Sequence, residues 1–170
     1  EMLEHGQVDV ALSYKPLQSY DDIDSHILFN SNLCVIAGKD NPVAKKERIR
    51  LAELENLPLV LPAKGLQARN AFDSLLYGQN FKFDVRLEIN DLSMLLDMVS
   101  RTNLVTLLSG ATIHSNKNFV AISLDHPHSE MQGSFHLLKG TYCKNATKEF
   151  LKMLVENNSF LMAMEAIANR

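Results

Sequence analysis

The chain has 170 residues, 46% of them hydrophobic, which is enough for the core of one average domain or two small lobes. A formal net charge of −3 excludes the broad basic excess on which nucleic-acid binding rests, so this segment alone is a poor DNA binder. Two cysteines, Cys34 and Cys143, stand far apart without C-x-x-C spacing, so neither a disulfide framework nor a zinc ribbon is indicated and a reducing, cytoplasmic setting fits best.

No apolar run reaches the roughly 18 residues that span a bilayer, and "EMLEHG" has neither the basic start nor the apolar centre of a signal peptide. It reads instead as the last turn of a helix ended by Gly6, so the chain reads as a fragment that begins partway into a fold. Next, "QVDVALSY" alternates Val8, Val10 and Leu12 with Asp9 and Ala11, a strand that gives way to a polar loop over 15–24. In "HILFNSNLCVIAGKDNP" two strands are predicted, 27–29 and 33–37, the second stopped by Gly38 and the turn Asp40-Asn41-Pro42.

The short apolar run "LPLVLP" at 57–62 suits a strand buried on both faces of a parallel sheet. Pro62-Ala63-Lys64-Gly65 then turns into a helix over 67–77, with Ala68, Phe72, Leu75 and Leu76 on one face and Gly78 at its C′ position. A strand at 83–89 follows, and "NDLSMLLDMVSR" is a helix capped by Asn90 or Asp91 with Leu92, Leu95, Leu96 and Val99 inward. Strands "LVTLL" and "FVAISL", the turn "DHPH" and a strand over 133–140 come next. Asn145 caps a helix with Ala146, Phe150, Met153 and Leu154 inward, and Ser159 caps another with Phe160, Ala163, Met164 and Ile167 inward. The order β, ββ, β, α, β, α, β, β, β, α, α implies an α/β fold with a mixed sheet or two α/β lobes.

Candidate chemistry divides unevenly. His126-Pro-His128 has the donors of a metal pair, but no carboxylate or cysteine completes a ligand set, and Pro127 favours a solvated turn. His136 lies in a strand and reads as a packed residue. Cys34, Cys143, Ser13 or Ser109 with a histidine base would make a nucleophile, yet none lies in a nucleophile motif, and Cys34 in "LCVI" reads as a small buried hydrophobe. The basic run "KKERIR" at 45–50 is interrupted by Glu47 and has no interleaved aromatic, which favours a solvated turn over an anion patch.

The turn at 62–67 carries more. The first N–H groups of the helix that follows lack intrahelical partners and carry the positive end of its dipole; Lys64 and Arg69 add charge and Gln67 an amide. An anion site and an ordinary strand-to-helix loop with exposed cations both fit this stretch. A second helix start at Asn90-Asp91-Leu92-Ser93 has the same amides, and in an open α/β sheet both starts face a crevice at the carboxyl ends of the strands. Together they favour a small acid.

Three stretches in this order resemble the effector-binding domain of LysR-type transcriptional regulators, over Gly6 to about Leu154. "LEHGQVDVAL" is similar to that family's Leu-x-x-Gly-x-[Leu/Val]-Asp-[hydrophobic]-Ala-[hydrophobic] signature. "LCVIAGKDNPVAKKERIRLAELENLPLVL" resembles its crossover strand, Pro-containing turn and run into the next strand, and "LLDMVSRTNLVTLLS" its helix and following strand. Two departures stand out: Arg101-Thr102-Asn103 replaces the family's Gly-x-Gly, and Ser109 stands where proline is common. The amino-terminal helix-turn-helix, the linker helix and the first β-α-β part of the family's domain have no counterpart here.

The resemblance implies a two-lobed fold like type 2 periplasmic binding proteins, with mixed sheets flanked by helices and crossover strands at Leu33 to Ala37 and Gly133 to Leu138. Residues 1–32 with 133–170 would form the first, incomplete lobe, and 33–132 the second, a continuous insert. In this family the effector binds between the lobes. The implied contacts are Pro62, Ala63, Lys64, Gly65 and Gln67, the helix start at Asn90 and Asp91, and Ser13 from the first lobe. The resemblance also implies a homodimer or homotetramer, with the helix after residue 66 along a dimer interface and DNA reached only through an amino-terminal domain. The expected protein is cytoplasmic, with no membrane partner, no cofactor, no metal and no catalytic residues. An exported solute-binding protein of a transporter and an enzyme on the same fold are the competing expectations.

Overall fold

The structure, a computed structural model, describes residues 2–14, 21–113 and 116–157. They group into two units, one of residues 2–30 with 131–157 and one of residues 31–130. The expected second terminal helix after Ser159, and His114, lie outside the described residues.

In the first unit Gly6, with φ of 64°, ends a turn in which its N–H donates to Leu3 and the Gln7 N–H to Met2, the pairing that closes a helical turn on a left-handed glycine. Strand β1, Ala11–Tyr14, pairs antiparallel with a strand at the far end of the chain, Glu130–Leu138, with Leu12 opposite Phe135 and Ser13 opposite Ser134. The expected start at Val8 is three residues early: the ladder begins at Ala11, and Asp9 instead pairs with Lys144 at 2.9 Å.

Strand β2 is one element, Ile23–Gly38, where two strands were expected. Asn30, Ser31 and Asn32 interrupt the apolar pattern, yet no glycine or proline turns the chain there. Their polarity is matched by partners: Asn30 accepts from the Gln132 amide at 3.2 Å and the Ser31 and Ser109 hydroxyls lie 2.7 Å apart. The last six residues of β2, 33–38, are buried in the second unit. There it pairs antiparallel with Thr106–Ser109 on one side and Phe119–Leu124 on the other, and the latter takes the two-residue strand β3, Arg48–Ile49, parallel to itself.

Strand β4, Pro58–Pro62, runs parallel to β5, Asp84–Ile89, and an isolated parallel bridge from Leu59 to Val105 ties β4 to the chain entering β6, Thr106–Ser109. Leu59, Val60 and Leu61 are at most 2% exposed, as a continuous apolar run between covering layers requires. Helix α1, Gln67–Leu75, and helix α2, Leu92–Arg101, supply the cover. Leu95 and Val99 of α2 join Cys34, Ile36, Val60, Leu104, Leu108 and Ile113 in one apolar cluster, and each such side chain contributes about 1.5–3 kcal/mol by leaving water. The end of α2 comes so near β2 that a Cβ on Gly38 would lie 3.1 Å from the Val99 carbonyl oxygen.

The strands of Phe119–Leu124 and Glu130–Leu138 are β7 and β8, and α3, Asn145–Asn157, follows. The α3 expectation needs two corrections. Lys144, not Asn145, is the cap, because its carbonyl accepts from the Lys148 N–H. The inward face is Thr147, Leu151 and Leu154, whereas Phe150 and Met153 are 41% and 59% exposed. Thr147, with Leu3, Val8 and Leu137, lines a small hollow under the helix, which fixes the phase. In the basic run, Lys46 and Arg50 both bind Glu53, and the Lys46 hydrogen bond above all holds that carboxyl down at about 2. Cys34 is buried, and burial pushes its thiol up.

Candidate functional site

Parallel strands end at one edge, and the turns leaving β4 and β5 meet there: Pro62 pairs with Ile89 in register, and the Ala63 N–H donates to the Ile89 carbonyl at 2.9 Å. The turn that carries Ala63, Lys64, Gly65 and Gln67 thus leaves β4 at Pro62, where Asn90 and Asp91 leave β5. Gly65 has φ of 91°, a conformation that a Cβ would strain, and Asn70 closes over it, its side-chain amide donating to the Gly65 carbonyl at 3.3 Å. Leu66 is the N-cap of α1 and offers no side-chain acceptor. Lys64 and Gln67 are exposed, and Lys64 makes no ion pair among the described residues.

Arg69 does not add to this charge. Its side chain is 9% exposed and bound on three sides, to Asp73 and Glu88 at 2.9 Å each and to the Pro62 carbonyl at 3.2 Å. Burial alone would lower the guanidinium, but hydrogen bonds and charge from Asp73 and Glu88 together outweigh it and raise it. Arg69 therefore fastens the turn to α1 and β5 and is turned away from solvent.

The two helix starts also differ from each other. Asp91 caps α2 by accepting from the Met94 N–H at 2.7 Å, so this positive end already holds a carboxylate. Only α1 keeps a start without a side-chain cap. The two turns offer unlike chemistry side by side, a cationic donor edge at 64–67 and a carboxylate at Asp91.

Sequence reasoning missed a third strand end at the same edge. The Leu59–Val105 bridge ties the chain entering β6 to β4, β6 closes at Ser109, and the Ala111 N–H donates to both Ser31 and Ser109 hydroxyls at 3.3 Å. Its signal was a serine closing the apolar run "LVTLL", unreadable without its partner 78 positions away.

Ser13 lies in the first unit on β1, with its Oγ 2.8 Å from His136 Nε2, while His136 Nδ1 is 2.7 Å from Ser25 Oγ. His136 is buried, as expected of a packed residue, and burial pushes its pKa down. At the "DHPH" turn the His128 N–H donates to His126 Nδ1 at 3.2 Å, so the backbone occupies that ring nitrogen. Among the described residues no three His, Cys, Asp or Glu side chains gather as a metal site, and no helix is long and apolar enough to cross a membrane.

Comparison with known proteins places this geometry. The HTH-type transcriptional activator CmpR of Synechocystis sp. (strain ATCC 27184 / PCC 6803 / Kazusa) is 31% identical over 90 residues, 53% of this chain and 29% of that protein, so the match spans under a third of it. The regulatory domain of CcmR from Synechocystis PCC6803, solved in complex with 2-PG, superposes with a TM-score of 0.78 at 21% identity, over 92% of this chain and 77% of that one. The effector binding domain of QuiR, in complex with shikimate, gives 0.73 at 19% identity over 91% and 73%. The fold is thus the α/β, type 2 periplasmic-binding-protein-like fold of these domains. A family model, the LysR substrate binding domain, matches residues 1–159, and the chain belongs to that family.

Proposed function

We propose that this domain senses a small acid for a cytoplasmic LysR-type transcriptional regulator. Its acid group would sit on the start of α1, with Lys64, Gln67 and the amides that follow Gly65, and a hydroxyl would donate to Asp91, with Asn90 beside it. The reading is carried by one observation: α1 begins without a side-chain cap at the carboxyl edge of parallel β4 and β5, beside an exposed lysine and a carboxylate-capped second helix. The molecules bound by the two similar domains, 2-PG and shikimate, are both small acids and support the same class.

The ligand acts through its different affinity for two states of the regulator, and each tenfold difference is worth about 1.4 kcal/mol. DNA would be reached through an amino-terminal domain, and the working form would be a homodimer or homotetramer. Strand β5 supports assembly: Val85 and Leu87 are 40% and 44% exposed and Tyr77, beyond α1, is 93% exposed.

Calorimetric titration of small carboxylates, shikimate and glycolate among them, tests the site with Lys64→Ala and Gln67→Ala. The Lys64 variant is expected to bind about tenfold more weakly, as loss of a charged hydrogen bond implies. Equal affinity in both variants removes this turn from the site.

A further inference from the structure

Ser109 closes β6 in the second unit, and its hydroxyl lies 2.7 Å from that of Ser31 on β2, in the same unit. The Ala111 N–H donates to both oxygens. A hydroxyl has one proton to give and lone pairs to receive with. Ala111 fills a lone pair on each serine, and the contact between the hydroxyls uses one of their two protons, whichever serine gives it. One O–H is left over, and nothing among the described residues accepts it. Ser109 is 2% exposed and Ser31 is half-buried. A surplus donor on Ser109 would be buried without an acceptor, which costs stability, whereas Ser31 meets solvent. Ser109 therefore donates to Ser31, and the proton left to give is that of Ser31.

Its place in the fold decides what that proton can meet. β4 and β6 run alongside each other in the same direction, joined where the Val60 N–H donates to the Val105 carbonyl at 2.9 Å and the Val105 N–H to the Pro58 carbonyl at 3.0 Å. Helix α1 follows the carboxyl end of β4 and packs on both strands, so its uncapped start and the Ser109 end of β6 share one edge of the second unit. That edge carries three unlike groups: charged and amide donors at 64–67, an acceptor at Asp91 and a neutral hydroxyl donor at Ser31. We infer that Ser31, held by Ser109, is a specificity-determining residue for the effector and donates to an acceptor oxygen on the body of the acid, so that the ligand class is oxo- and hydroxy-acids rather than plain hydrocarbon acids. This rests on the proposed function, which seats the acid group on α1, and adds the recognition of a second oxygen. An acid without that oxygen leaves the Ser31 O–H covered and unpaired, and a site built to bond an oxygen rejects the analogue that lacks it. An oxo group can accept from Ser31 but cannot donate to Asp91, so the choice of probe separates the two contacts.

The test uses the 170-residue chain and NMR titration with two matched pairs of acids, pyruvate against propionate and shikimate against cyclohexenecarboxylate. In at least one pair the oxygen-bearing acid is expected to bind about threefold to tenfold more tightly, the scale of one hydrogen bond. Ser31→Ala should remove that factor and leave affinity for the plain acid unchanged, while Ser31→Thr, which keeps a hydroxyl, should retain it. Ser109→Ala should remove part of it, and the double variant with Ser31→Ala should lose no more than Ser31→Ala alone. A preference that survives Ser31→Ala, or no preference in the unmodified chain, overturns the inference. So does an equal loss for both members of a pair, which would make the two serines a structural tie. Lys64→Ala separates this contact from the reading beneath it: if it weakens neither acid while Ser31→Ala abolishes the preference, the Ser31 contact stands and the seat on α1 fails. A chain that binds none of the four acids overturns both.

Discussion

Arg69→Met tests what holds the candidate site together. The substitution keeps most of the aliphatic stem but removes three bonds from a side chain only 9% exposed. The Pro62 carbonyl loses a charged donor in a buried position, worth about 1.5–3 kcal/mol. Asp73 and Glu88 are 46% and 43% exposed and regain water, so each lost pair adds about 0.2–1 kcal/mol. A total near 3 kcal/mol lowers the melting temperature of a chain this size by roughly 6–12 °C. Circular dichroism melts of the wild type, Arg69→Met and Arg69→Lys measure this. The lysine variant should fall between the others, since an ammonium cannot match the planar fork that reaches two carboxylates and a carbonyl at once. A melting point for Arg69→Met within about 1 °C of wild type would refute the clasp, as would a fully stable lysine variant.

Two further predictions concern the first unit. A Cβ at Gly133 would collide with the Phe29 ring from the neighbouring strand, so Gly133→Ala should cost about 1–3 kcal/mol, and adding Phe29→Leu should recover part of it; urea melts in which Gly133→Ala is neutral contradict this packing. His136 has a folded pKa below the ordinary 6.5, so below that pH the unfolded chain takes up a proton that the folded chain refuses. Stability should therefore fall as pH drops through about 6.5 toward the folded value, and His136→Gln should flatten that slope. Matching slopes in urea unfolding at pH 7.5 and 5.5 would show that another group is responsible.

The second unit was legible where local chemistry decides structure. In α2 the cap, the apolar period and the buried face all come from one stretch, so Asp91, Leu95 and Val99 could be read in order. The same holds for β4, whose apolar run has no polar residue to face water. What failed depended on partners far away in sequence. Asn30 to Asn32 read as a break because Gln132 and Ser109 could not be seen. In α3 two apolar stripes compete, and the hollow shared with Leu3 and Leu137 chose the one with Thr147. Arg69 read as a surface cation because its sign and place in the first helical turn suit solvent; only the fold brings Glu88 to it. For the site, residue positions could be read, but not the division of labour between an open α1 start and an α2 start occupied by its own aspartate.

The clasp on Pro62 also bears on the thermodynamics of ligand uptake. A turn already fixed by Arg69, Asn70 and the Ala63 bond to Ile89 has lost its conformational freedom before any ligand arrives. A ligand meeting that turn faces little ordering cost there, so the local heat-capacity change should be small and the affinity gain should come mostly from direct polar contact. Loosening the clasp would convert the same contacts into a coupled ordering reaction, weaker at every temperature and more strongly temperature-dependent, although no ligand-touching atom had been changed.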